Sequence, residues 1–224
     1  AATPAETGHS YEFELIANKA VSDPADSPSL ATRFAARARG IWSPKDRAAN
    51  FSRIEIRSQS GGYAEGTGTL DFDSAVPTAV FAISVEDFAL AGVKQFWPAP
   101  VARAARRWVL SNLAGGSITK GNFLIAEPLR RRVAGSDEPL QGDTELSLDV
   151  EGVRFDVAGD IPPVREATGR VQVKDGETIV SLDSGTVYFP SGRTASASSG
   201  TLTIRRPDDD GLVQADLDVN IAGA

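Results

Sequence analysis

Apolar and polar residues alternate along most of this chain with a period of two. Near the start, Tyr11, Phe13 and Leu15 alternate with glutamates, and close to the C-terminus the run from Val213 to Ile221 alternates without a break. Successive side chains of a β-strand point to opposite faces, so each run predicts a strand with one buried and one solvated face. Strands of this kind are typical of antiparallel sheets. We therefore predict a mainly β, antiparallel protein.

Short turn motifs separate these runs. Gly61-Gly62 and Asp175-Gly176 each lie between two alternating segments, and an Asp-Gly pair is a strong hairpin signal. Counting the runs between such turns predicts about eleven or twelve strands. The clearest later strands are predicted at residues 51–58, 63–72, 117–126, 145–151, 153–157, 170–174, 177–182, 186–189 and 213–221.

One segment has helical periodicity instead. Between residues 98 and 113 apolar residues recur every three or four positions, and Pro98 and Pro100 suit a helix start, where a missing N–H costs nothing. Gly115-Gly116 then favours a helix end. We predict one short helix near 98–113, and a weaker helical turn near 85–91. The predicted solvated side of the helix carries Arg103, Arg106 and Arg107.

The apolar faces of these strands must be kept from water, because burying one large aliphatic side chain is worth ~1.5–3 kcal/mol. A second packed sheet, closure into a barrel, and a curved trough that holds an apolar ligand all give the same alternation. Aromatic residues make up only 7% of the chain, and small side chains at many predicted inward positions favour the trough. These small residues are Ala36, Ala38, Ala82, Ala158, Ala195, Ala197 and Ala215.

The composition is that of an acidic globular protein. The 224 residues are 41% hydrophobic and 24% charged, which is enough for a buried core. A formal net charge of −7 disfavours nucleic acid as a partner, because phosphate binding needs a basic surface. No apolar run approaches the ~20 residues that span a bilayer. The chain has no Met, so we expect it to be an excised piece of a longer protein.

Few residues suggest catalysis or metal binding. The chain has no Cys, and its single histidine, His9, cannot supply the several ligands of a metal site. Asp183-Ser184-Gly185 resembles the signature of aspartic proteases, which need two such loops facing each other and hence a homodimer here. A turn between two strands is the favoured interpretation. Likewise, Asp208 to Gly211 is better explained as a solvated turn than as a calcium loop. We predict no catalytic residues, no metal and no cofactor.

Two further features have open interpretations. The arginines of the helix and the cluster Arg130–Arg132 suit either solvated surfaces or contact with anionic lipid headgroups, and solvation is favoured. Trp97 and Trp108 suit either core packing or a groove mouth, and core packing is favoured.

Three segments resemble a known family. Val93–Ala126 combines a Trp-anchored helix with a Gly-Gly restart into a strand, and Gly159–Val164 leads into the strand Ala167–Val173. In these features the chain resembles the AsmA-like superfamily, specifically its YhdP-like branch, which carries a periplasmic domain of unknown function. The resemblance is best from Ala64 to the C-terminus.

This resemblance implies a fold and a function. It implies an extended, curved antiparallel sheet, groove-like, with an apolar lining that carries phospholipid acyl chains across the bacterial envelope. It also implies a periplasmic location, a longer parent protein anchored to the inner membrane by a segment absent here, other envelope proteins as partners, and a part in outer-membrane maintenance. We expect one elongated domain, 1–224, with two sheet segments joined around helix 98–113 as a variant. The candidate lining residues are Leu148, Phe155, Val171, Val173, Leu217 and Val219.

Two alternatives stay open at this point. One is a closed β-sandwich that serves as a structural or docking module without a ligand. The more remote one is a dimeric aspartic hydrolase that uses Asp183.

Overall fold

The computed structural model describes residues 3–4, 10–22, 32–59, 61–97, 103–129, 142–156, 162–205 and 215–223. These residues form thirteen strands and two short helices. The first strands are β1 (Thr3–Pro4), β2 (Tyr11–Ser22), β3 (Thr32–Ser43), β4 (Ala48–Ser58), β5 (Tyr63–Asp71) and β6 (Thr78–Ala89). The middle elements are α1 (Leu90–Phe96), α2 (Arg103–Asn112), β7 (Leu113–Ala114) and β8 (Ser117–Pro128). The last strands are β9 (Asp143–Phe155), β10 (Val164–Lys174), β11 (Glu177–Tyr188), β12 (Thr194–Ile204) and β13 (Ala215–Gly223).

All of these strands belong to one open, curved antiparallel sheet. Its order follows the chain from β1 to β13, except that the two-residue strand β7 lies off this path and pairs with β9. β6 and β8 pair directly, with Thr78 opposite Pro128 and Ala89 opposite Ser117, so the inserted helices interrupt the chain without interrupting the sheet. The predicted fold class, an extended antiparallel sheet with a short helix, is confirmed.

The predicted turns agree with the structure at most positions. Asp175 and Gly176 have φ values of 51° and 77° and close the β10–β11 hairpin, as their sequence predicts. The predicted turn at Asp183-Ser184-Gly185 is wrong, because β11 runs unbroken through these residues. Asp183 and Ser184 are exposed, so water solvates their side chains within the strand and no turn is needed.

The helical region differs in detail from the prediction. α2 covers Arg103–Asn112, inside the predicted 98–113, and Pro98 and Pro100 lie outside the described residues. The weak helical signal at 85–91 falls mostly on β6, and the helix α1 follows it at Leu90–Phe96. Most residues of α1 are buried, so the helix has no exposed side made of polar residues. Without such a side, the sequence of α1 does not show the periodicity by which an amphipathic helix is recognised.

The two faces of the sheet differ in chemistry. We call the face that carries α1 the inner face, and the opposite one the outer face. On the outer face, the Glu14 carboxylate accepts hydrogen bonds from Arg37 and Arg39 at 2.7 and 2.6 Å, which lower the pKa of Glu14 to about 2. Ala82, predicted inward, is exposed on the outer face of β6, because the inward set of that strand is Ala79, Phe81, Ile83 and Val85.

The inner face is buried unevenly along the sheet. On β9 and β10, Leu148 and Val171 are fully buried within the core. On β2, the inward residues Tyr11 and Leu15 remain 42% and 58% exposed. The apolar face is therefore sealed over β9 and β10 and open at β2.

Candidate functional site

A large apolar cavity lies on the inner face, over strands β4 to β9 and against α1. Its volume is about 620 Å³, within the ~300–1,000 Å³ range of ligand sites. On β6 it extends from Ala79 to Phe88, a span of about 30 Å at the rise of a β-strand. Its apolar walls are formed by Ile54, Ile56, Ala64, Ala79, Phe81, Ile83, Val85, Phe88, Val93, Phe96, Trp97, Phe123, Ile125, Pro128 and Leu129.

Helix α1 closes one end of this cavity with aromatic rings. Phe96 packs edge-on against Phe88 at a centroid distance of 5.8 Å and against Phe34 of β3 at 4.8 Å. Trp97, which is buried, packs against Phe123 at 6.2 Å. These contacts join α1 to both sides of the cavity, so this end of the cavity is closed by apolar side chains.

A row of alternating phenylalanines and glycines forms part of the inner face. Phe13, Gly40, Phe51, Gly68 and Phe81 pair in register across β2 to β6. The rings lie over the glycines, since a Cβ at Gly40 would overlap the Phe13 ring and one at Gly68 would overlap the Phe81 ring. The glycines thus make room for large aromatic side chains. The row gives the inner face an aromatic surface although aromatic residues are few in the whole chain.

The two helices cap each other's C-terminal ends. Lys94 of α1 donates from Nζ to the Leu110 carbonyl oxygen of α2 at 3.2 Å and to that of Leu113. Arg106 of α2 donates from Nε to the Trp97 carbonyl oxygen at 3.1 Å. Cations are favourable at helix C-termini, where carbonyl groups lack intrahelical partners.

This capping corrects one prediction about the arginines. Arg106 was predicted to be solvated and is instead 5% exposed, because the α1 carbonyl that it caps lies in the core. Arg107 is exposed, as predicted. The side chain of Arg103 is outside the described set.

Burial of Lys94 makes the stability of the protein depend on pH. Desolvation lowers the pKa of the Lys94 ammonium below its ordinary value, so in alkaline solution the folded chain releases this proton before the unfolded chain does. Because the unfolded state then binds more protons, the free energy of unfolding rises with pH between the lowered pKa and about 10.5. Urea unfolding from pH 8 to 10 should show this rise relative to Lys94→Met, and parallel curves for the two proteins would contradict it.

The opposite end of the cavity is polar. Glu127 on β8 lines the cavity beside Pro128 and Leu129, and Thr144 of β9 donates from Oγ1 to Glu127 Oε1 at 3.2 Å. The Glu127 carboxylate also packs against Gly142, where an added Cβ would overlap it. Among the described lining residues, Glu127 is the one ionisable side chain. The cavity therefore has an apolar end at α1 and a carboxylate at the other end.

The predicted lining residues lie on the same face but outside this cavity. Leu148, Phe155, Val171 and Val173 are buried core residues of β9 and β10. Val219 is partly buried against this core, and the side chain of Leu217 is outside the described set. The residues that do line the cavity belong to β4, β5, β6, β8, β9 and α1, with Trp97 and Leu129 just after α1 and β8. Alternation alone could not separate them from the core.

The structure also locates the other residues singled out in the sequence. Asp183 is exposed in β11, and the hydrolase hypothesis stays a prediction. Trp108 packs against Phe155 at 5.8 Å. His9, Arg130–Arg132 and Asp208–Gly211 lie outside the described residues.

The described part of the chain holds neither a candidate metal site nor a helix that could span a membrane. No group of three or more acidic or histidine side chains there could hold a metal ion. Nor is either described helix long and apolar enough to cross a bilayer.

Comparison with known proteins gives this chain no relative. No protein-family model matches it, and neither do any of the curated proteins or the solved structures compared with it.

Proposed function

We propose that this chain is a non-enzymatic lipid-binding module whose inner face holds acyl chains. In this proposal it takes part in phospholipid transport or outer-membrane maintenance in the periplasm, within a longer AsmA-like protein anchored to the inner membrane. The observation that carries the proposal is the apolar cavity of about 620 Å³ on the open part of the inner face.

The dimensions of the cavity suit a hydrocarbon chain. The hydrocarbon core of a bilayer is ~30 Å thick and contains two layers of acyl chains, so one chain spans about half of that distance. The cavity wall between Ala79 and Phe88 is long enough for such a chain. Several lining residues, including Ile54, Phe81 and Ile83, are only half-buried, so a bound chain would remove apolar surface from water.

The mechanism is passive shielding. Acyl chains lie on the apolar wall while headgroups remain in water, and no bond is made or broken. Affinity should therefore increase by ~0.8 kcal/mol for each methylene that is buried.

The envelope setting rests on the sequence resemblance. The sequence features that carry this resemblance are the Trp-anchored helix α2, the Gly115-Gly116 restart into β8, and the segment from Gly159 to Val173. The proposed partners are phospholipid acyl chains and other envelope proteins.

Filling the cavity should abolish lipid binding. We expect native mass spectrometry of the protein, after incubation with phosphatidylethanolamine and phosphatidylglycerol vesicles, to show bound phospholipid. Ile83→Trp should lose it, because Ile83 lines the cavity and the larger indole ring would occupy the space that the acyl chain needs. The matched control is Val80→Trp on the same strand, since Val80 is 41% exposed on the outer face.

The outcomes separate the proposal from its alternative. Lipid bound by wild type and by Val80→Trp but lost from Ile83→Trp would support acyl-chain binding in the cavity. Wild-type protein without lipid would contradict it and would favour the structural or docking module. Equal binding by both variants would place the lipid elsewhere.

A further inference from the structure

The inner face continues from the cavity to strand β2 without a break. Two rows of inward residues cross β2, β3 and β4 in register, and they reach the cavity wall at Ile54 of β4 and Phe81 of β6. We call the part of these rows on β2, β3 and β4 that lies outside the cavity the β2–β4 surface. Its residues are Phe13, Leu15, Ala38, Gly40 and Phe51.

The β2–β4 surface is apolar and open. Phe13 packs edge-on against Phe51 at a centroid distance of 5.2 Å, and Phe51 packs against Phe81 of the cavity wall at 5.9 Å. Leu15, on the same face as Phe13, is 58% exposed, and no residue of this surface has a polar side chain. A hydrocarbon chain on this surface would therefore bury apolar area without desolvating a polar side chain.

The cavity is large enough for one long acyl chain but not for two. A methylene group is about as large as a water molecule, ~30 Å³, so a palmitoyl chain of roughly 16 carbons needs roughly 480 Å³ and two such chains need roughly 960 Å³. The cavity provides about 620 Å³. A lipid with two long chains would therefore leave one of them outside the cavity.

Of the two sides of the cavity, one is free to receive that chain. The two chains of a phospholipid are joined at neighbouring carbon atoms of its glycerol, so they lie side by side. Toward β9 and β10, Leu148 and Val171 are fully buried in the core and offer no free surface. Toward β2, the β2–β4 surface is open and adjoins the cavity through Phe81.

Resting on the proposed function, we propose that the β2–β4 surface holds the second acyl chain of a diacyl lipid whose first chain lies in the cavity. The substrate class of the site is then lipids with two long chains. A lysophospholipid, which has one chain, uses the cavity alone and gains nothing from the β2–β4 surface.

The test is a competition between dipalmitoyl phosphatidylglycerol and its single-chain palmitoyl lysophospholipid, mixed in the same vesicles. Native mass spectrometry then gives the ratio of the two lipids bound to the protein. Wild type should carry the diacyl lipid at no less than its share in the vesicles, because both chains find an apolar surface on the protein. Leu15→Asn should lower the ratio of diacyl to single-chain lipid about fivefold, the factor expected when about half of a leucine side chain loses its apolar contact.

The control is Ile16→Asn on the same strand. Ile16 is 56% exposed, almost as much as Leu15, but it lies on the outer face, so this variant should keep the wild-type ratio. An unchanged ratio in Leu15→Asn, or wild type that carries only the single-chain lipid, would contradict the inference and leave acyl-chain binding standing. A dimer without diacyl lipid would also contradict it, because a second copy of the chain would then cover the surface. If neither lipid binds, the proposed function itself is overturned.

Discussion

Gly116→Ala should destabilise the protein by about 2–5 kcal/mol, the sum of a left-handed backbone cost and an overpacking cost. Gly116 has a φ of +66°, which L side chains rarely adopt. An added Cβ would also overlap the Glu151 carbonyl oxygen and lie 2.7 Å from the Gly152 carbonyl carbon. These are backbone atoms of β9 and cannot move aside without disturbing the β8–β9 pairing. Urea unfolding of wild type and variant measures the difference.

The neighbouring residue supplies the matched control. Gly115 has nearly the same φ, +67°, but the nearest atom to an added Cβ is 4.0 Å away. Gly115→Ala should therefore lower the free energy of unfolding by about 1–2 kcal/mol, which is the cost of the left-handed backbone conformation alone. Equal losses for the two variants would show that close packing against β9 has no part in the effect.

Leu148→Ala should destabilise the protein by about 2–5 kcal/mol, the range for a large-to-small change in a close-packed core. Leu148 is fully buried on the inner face of β9. It lies between Gly121 of β8 and Val171 of β10 in register, and a Cβ added at Gly121 would be 2.8 Å from Leu148 Cδ2. The side chain is thus packed against its neighbours, and its removal leaves a cavity. Thermal and urea unfolding report the loss.

Leu124→Ala on the adjacent strand β8 is the control. Leu124 is 47% exposed on the outer face, so its truncation should change the free energy of unfolding by less than about 0.5 kcal/mol.

The variant Leu148→Ala also tests where the lipid binds. Folded Leu148→Ala should bind phospholipid as wild type does, and a selective loss of binding with little loss of stability would instead make Leu148 a lining residue.

The candidate site was only partly accessible to sequence reasoning. Alternation identified the inward residues of most strands, but it treats Leu148 and Ile83 alike. Leu148 lies in the buried core, whereas Ile83 lines the cavity. The two residues differ because the folded chain covers different parts of the same face to different extents. Glu127 lies near the end of β8, just beyond the strand predicted at 117–126, because the proline and the charged residues that follow it do not continue the alternation.

The helical insertion shows the same limit. The periodicity around Trp108 was strong enough to predict α2, whereas α1 has few polar residues and contains Gly92, so its pattern is hardly helical. The burial of Lys94 and Arg106 also could not be predicted, because each caps the partner helix and a capping contact between helices leaves no local signal.

The sequence by itself determined the antiparallel sheet, the hairpin at Asp175-Gly176 and the separation of an apolar from a polar face, because strand geometry and turn conformation depend on near neighbours in the chain. Only the tertiary structure decided which part of the apolar face is sealed and which is open. That outcome depends on contacts between residues far apart in sequence, such as Phe34 with Phe96 and Trp97 with Phe123, and the period of two is the same with or without them.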